Sequence, residues 1–209
     1  MRRNARTTTA VLTALAAVCA PTGAAAADDD DYQSVYGSEP AAALNCPDPL
    51  IEQPFTAFGD SRDYVLAPGG AFSDNAGGGW NLRGGARVDD GELNLREDSS
   101  ARSPSMCVDL DYPEARFRYS VRARKADDAE LRVEVRYPDG EDSGWEKVAE
   151  IDGDEGQDIG AGWKLSPDVP MRPELGGSEP GWRHVQIRLR SKDERWRIDD
   201  MYVDPKRRS

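Results

Sequence analysis

Two adjacent acids, Asp199 and Asp200, stand inside an apolar run, "WRIDDMYVDP" (196–205). Paired carboxylates in such a place suit three roles: metal ligation, acid–base catalysis, or solvated structure. The single histidine, His184, precedes an alternating "VQIRL" and has no G-x-S-x-G elbow to serve. The 39 acids give no means of choosing a glycosidase-like pair. They cluster in turns such as "DDGE", "KADDAE" and "EIDGDEGQD", where Asp and Gly meet local backbone needs. The stretch "DGDEGQD" (152–158) opens like a calcium loop. Gln157 then replaces the Gly, and Trp163 the Glu, that an EF-hand requires. No catalytic residue is expected.

Binding chemistry is better represented. Trp145 in "EDSGWEK" and Trp182 in "SEPGWRH" each follow a Gly at a loop end. Flat aromatics so placed are surfaces for sugar rings to stack on; the alternative is that each plugs one end of the fold. Trp80 and Trp196 sit in strand-like runs and are expected to be packed, with Trp163 half-buried. Arginine recurs at outward strand positions: Arg116, Arg118 and Arg122, then Arg132 and Arg136, then Arg188 and Arg190, then Arg197. If those strands share a sheet they form a basic face, and guanidinium forks suit carboxylate, sulfate or phosphate. Arg132, Arg136 and Arg188 are the ligand candidates, for an acidic polysaccharide or for the chain's own Asp28–Asp31 run. Otherwise these arginines discourage edge pairing and form scattered ion pairs.

The elements that must position these residues read as strands. "RFRYSVRA" (116–123), "ELRVEVRY" (130–137) and "HVQIRLR" (184–190) alternate apolar and polar residues. "WNLRGGARVDDGELNL" reads as three short strands broken by Gly-Gly and Asp-Asp-Gly turns. "SPSMCVDL", "WEKVAEI", "GWKLSPDV" and "WRIDDMYV" add further strands, and "CPDPLIEQPF" should run extended over the surface. No segment has a helical period. About nine or ten short strands without crossover helices argue an all-β antiparallel sandwich or barrel. In the last strand, strict alternation would strand Met201 and Val203 on the wet face. A bulge at the Asp pair, returning both to the core, is expected.

The ends supply a compartment. A basic start and an Ala-rich stretch closing on Ala25 and Ala27 read as a signal peptide over 1–27, cut before Asp28. A flexible acidic leader over 28–45 and one domain over 46–209 follow. The expected mature chain carries 24 basic residues against 39 acids, a formal charge of −15. That balance argues against nucleic acid or an anionic membrane as partner. No membrane span is expected in the mature chain. Cys19 leaves with the signal, and Cys46 and Cys107 remain. In an exported protein they read as a disulfide, closing a loop of about 60 residues and contributing roughly 4 kcal/mol.

"PGGAFSDNAGGGW" and "WRIDDMYV" together resemble the jelly-roll sandwiches of galactose-binding-like domains and carbohydrate-binding modules. The stretch from "NCPDPLIEQPF" to "WRIDDMYVDP" is also similar to a group of small exported actinobacterial proteins. The first resemblance implies a structural calcium where first and last strands meet. Its ligands would come from a backbone carbonyl of the Gly-x-Phe-Glu strand, the Glu, and an Asp of the terminal pair. Gly70, Asp199 and Asp200 match that pattern, but Ser73 stands where the Glu belongs. The function expected is an exported, non-catalytic module binding a glycan or envelope polymer. A surface structural protein with no small ligand is the alternative, and a hydrolase stands third.

Overall fold

The computed structural model describes residues 50–74, 77–109, 113–124, 126–138, 144–171 and 182–206, with side chains through 203. All lie in one compact unit, Tyr36–Ser209. The expected signal peptide, the acidic leader and Cys46 fall outside the described residues.

The first strands are β1 (Ile51–Glu52), β2 (Asp63–Leu66), β3 (Asn81–Arg83), β4 (Arg87–Asp89) and β5 (Glu92–Leu95). Next come β6 (Ser100–Arg102), β7 (Met106–Asp109), β8 (Glu114–Arg122), β9 (Glu130–Arg136) and β10 (Glu146–Asp152). The last are β11 (Gln157–Gly160), β12 (Trp163–Leu165), β13 (Val169–Pro170), β14 (Trp182–Ser191) and β15 (Arg195–Lys206). Three single-turn 3-10 segments are the only helical pieces among the described residues. Within that set, no helix is long and apolar enough to cross a membrane.

All strand pairs are antiparallel and fall into two sheets. One has nine strands, with β15 and β8 at its centre; the other has six, in the order β10-β9-β14-β6-β3 with β7 also on β14. Alternation makes each strand two-faced, and the apolar faces meet between the sheets. Phe117, Tyr119, Leu93, Trp196 and Ile198 from the first pack in one cluster with Val133, Val135, Ile187 and Leu189 from the second. The expected antiparallel β-sandwich is therefore the observed one.

The fifteen strands exceed the nine or ten expected. Pairings of two to four residues at β1, β2, β6 and β11 leave too little sequence to show a period, and Ser166-Pro167 splits one expected strand into β12 and β13. The segment expected to run over the surface does more than that. Phe55 is buried in a second, small cluster with Tyr64, Leu165 and Tyr202. Its ring lies edge-on to Tyr64 at 5.1 Å and to Tyr202 at 5.4 Å between centroids. Since Met201 and Val203 point into the main core, Tyr202 and this aromatic plug sit on the outer side of the nine-stranded sheet.

Candidate functional site

The outer face of the six-stranded sheet brings three of the candidate ligand residues together. β9 and β14 pair in register, placing Gln186 opposite Arg136, Arg188 opposite Glu134 and Arg190 opposite Arg132. The inward residues of both strands are fully buried, so these partners all project outward. Trp145, half-buried just before β10, lies under two guanidiniums: Arg136 at 4.9 Å and Arg188 at 4.3 Å from its ring centroid. Each such contact contributes about 0.5–1 kcal/mol when exposed and more when water is excluded.

The two arginines are tethered at one end only. Arg136 donates from Nε to the Gln186 side-chain oxygen at 2.7 Å. Arg188 donates from Nε to Glu134 Oε2 at 2.5 Å. Among the described residues their Nη groups have no hydrogen-bond partner. Each fork is thus oriented by its Nε and presents its outer edge. Arg132 is held more loosely, 3.7 Å from Glu150 and 3.8 Å from Glu130. Trp182 begins β14 on the same face as Arg188, about 20 Å along the strand at 3.3 Å per residue. It is a separate contact point from Trp145.

The arginines do not form a single basic face. Arg116, Arg118 and Arg122 on β8 and Arg197 on β15 project from the nine-stranded sheet, on the opposite side of the sandwich. There Trp163, which sequence reading left without a role, carries Arg197 at 4.9 Å and Arg118 at 5.7 Å. Its partners lie some 35 to 45 residues away, so nothing local announces the cluster.

Asp199 and Asp200 form the expected bulge. The β15–β8 register shifts between Asp199 and Tyr202, Asp200 takes φ of +50°, and Met201 and Val203 return to the core. The bulge also switches partners. Residues before it pair with β5, and residues after it with β2. Between the two, the Met201 amide donates to the Gly70 carbonyl at 3.0 Å. Both carboxylates turn to Arg118, whose Nη2 is 2.7 Å from Asp199 and 2.5 Å from Asp200. As placed, this donor set does not fit calcium. The Gly70 carbonyl already accepts an amide, a guanidinium lies against both carboxylates, and Ser73 adds no carboxylate. No group of three or more His, Cys, Asp or Glu side chains is arranged for a metal among the described residues. Burial first, and then the Asp200 charge, raise the Asp199 carboxyl above its ordinary pKa.

One ion-pair network was not legible in the sequence. Asp60 accepts from Arg62 at 2.8 Å, Arg116 at 2.5 Å and the Tyr64 hydroxyl at 2.5 Å. Burial pushes the Asp60 carboxyl upward, but these hydrogen bonds together outweigh it and hold the pKa far below the usual range. The same burial, with Asp60 beside it, raises the Tyr64 hydroxyl. The network clamps the 50–62 segment onto β8 and works as structure.

Other motifs resolve the same way. The 152–158 turn is tied down by the Tyr119 hydroxyl donating to the Glu155 carbonyl and by Lys164 donating to the Asp154 carbonyl at 2.7 Å. His184 lies on β14 opposite Cys107 of β7. Cys46, the expected disulfide partner of Cys107, lies outside the described residues.

No protein-family model and no curated protein matches the sequence. Among solved structures, a CBM28 carbohydrate-binding module specific for non-crystalline cellulose aligns with a TM-score of 0.46 at 12% identity, covering 67% of this chain and 95% of that one. The xylan-binding module CBM15 aligns with a TM-score of 0.42 at 15% identity, covering 65% and 95%. The mannan-recognising module TmCBM27 gives 0.39 at 14% identity, covering 69% and 99%. At these identities and TM-scores the likeness carries no argument about ligand or activity.

Proposed function

We propose that the chain is an exported, non-catalytic binding module for an acidic glycan or envelope polymer, which lies along the outer face of the six-stranded sheet. The observation that carries this reading is the Trp145 indole with Arg136 and Arg188 stacked on it. Each Nε is tethered, and the outer edges stay open. A guanidinium on an aromatic plane keeps its in-plane donors for a carboxylate or sulfate. The indole beside it offers an apolar surface to the C–H face of a sugar ring. Trp182 and Arg132 serve as flanking contacts on the same sheet. Export rests on the leading sequence and on the expected pairing of Cys46 with Cys107, which an oxidising compartment would favour.

Retention of the protein on immobilised acidic and neutral polysaccharides tests this directly. Trp145→Ala and Arg188→Ala should each weaken binding to acidic polymers by tenfold or more, and rising salt should weaken it further. Full retention by both variants removes Trp145 from the site. No retention of the wild type on any polymer moves the reading to a surface structural protein with no small ligand.

A further inference from the structure

On the opposite sheet, Arg195 and Arg122 are direct cross-strand partners of β15 and β8. Like charges placed directly opposite destabilise a sheet. A chain with 39 acids has ample carboxylate to neutralise them. Yet among the described residues no ion pair engages Arg122, Arg195 or the nearby Arg96. All three line one cleft of about 290 Å³.

Arg87 and Arg197 also line this cleft, making five guanidiniums against three carboxylates, Asp89, Asp90 and Glu92. Two of those acids are already engaged, Asp89 by Arg87 at 3.3 Å and Glu92 by Arg197 at 3.4 Å. Glu97, Asp193 and Glu194 stand with Arg96 and Arg195 around an adjoining hollow, but none comes into ion-pair range of either. Arg197 is both a wall of the cleft and a cap on Trp163, so that wall is braced by an aromatic ring behind it. Where local rules are broken without internal compensation, a ligand is the usual compensation.

We infer that this cleft is a second, independent oxyanion site, in which Arg96, Arg122 and Arg195 take a carboxylate, sulfate or phosphate group while Arg197, stacked on Trp163, forms the adjoining wall. It borrows from the proposed function only the ligand class, an acidic polymer. The two sheets of a sandwich face opposite ways, so a module with a site on each face bridges two polymer chains instead of decorating one.

Calorimetric titration of the full chain with three short probes, a sulfated tetrasaccharide, a galacturonate oligomer and a short polyphosphate, separates the sources of the oxyanion. For the probe that binds, the wild type should take two equivalents. Arg122→Ala/Arg195→Ala should take one, at the remaining site's affinity. Arg136→Ala/Arg188→Ala should also take one, and the quadruple variant none. Arg122 and Arg195 are exposed and have no ion pair to lose, so the double variant should melt no lower than the wild type. An unchanged stoichiometry in Arg122→Ala/Arg195→Ala overturns the second site, as does a wild type that binds none of the probes. If that variant loses all binding while Arg136→Ala/Arg188→Ala loses none, the second site stands and the Trp145 reading fails.

Discussion

Arg118 and Asp199 are direct cross-strand partners on β8 and β15, and their side chains close on each other at 2.7 Å. Asp200, displaced outward by the bulge, reaches the same Nη2 at 2.5 Å. One guanidinium is therefore shared by both acids of the pair. Removing calcium with a chelator should leave the melting temperature unchanged, and a fall of several degrees would reinstate a metal. Arg118→Ala leaves two adjacent half-buried carboxylates without a counter-charge. A loss of roughly 1–2 kcal/mol in urea unfolding is expected, below the value for a fully buried pair.

Asp199 should also leave a signature in pH. Its folded pKa lies above the ordinary carboxylate value, because burial and the Asp200 charge disfavour the ionised form. The folded state therefore binds its proton more tightly than the unfolded one. That contribution is present in acid and is lost as pH rises through the folded pKa. Asp199→Asn should gain stability relative to wild type between about pH 4 and 7. Urea midpoints measured across that span check the sign, and parallel curves would refute it.

Asp60 should behave in the opposite way. Its folded pKa is held well below the ordinary value, so its stabilisation is present above the unfolded pKa and is lost as pH falls below it. Asp60→Asn should flatten the acid limb of the stability curve below about pH 4. Asp60→Ala removes the shared acceptor of Arg62 and Arg116, whose side chains are only 19% and 15% exposed. Arg62 keeps Asp168 at 2.6 Å and Glu114 at 3.2 Å, and Arg116 keeps Asp168 at 3.2 Å, so a loss of about 1–2 kcal/mol is expected, below that of an uncompensated buried charge.

Gly70 is required by close approach. A Cβ there would sit 2.6 Å from the Met201 carbonyl oxygen and 2.9 Å from that of Ala67, backbone atoms that have little room to yield. Gly70→Ala should cost about 1–3 kcal/mol. The damage should appear as faster amide exchange at Met201, whose N–H bonds to the Gly70 carbonyl.

Trp145 and Trp163 show where sequence reading stops. Trp145 stands out by its place after a loop glycine, and its arginines by their outward strand positions. Only the pairing of β9 with β14 places them over the ring. Trp163 looked like an ordinary half-buried strand residue, because Arg118 and Arg197 reach it from β8 and β15. Phe55 is hidden from the linear sequence for a similar reason. Its three-proline surroundings read as surface, and the Tyr64–Tyr202 groove it fills exists only once β2 lies beside β15.

Which side chains point in and which point out is legible in the linear pattern, including the bulge that returns Met201 and Val203 to the core. Side-chain direction along a strand follows a period of two and needs no distant partner. The linear pattern also rules out an EF-hand at the 152–158 turn, where Gln157 and Trp163 replace the required Gly and Glu. Which outward residues meet is a product of the folded sheets: the division of the arginines between two faces, the capture of Asp199 and Asp200 by Arg118, and the opposition of Arg122 and Arg195. Those meetings depend on strand order within each sheet, which is set by pairing between segments far apart in the chain.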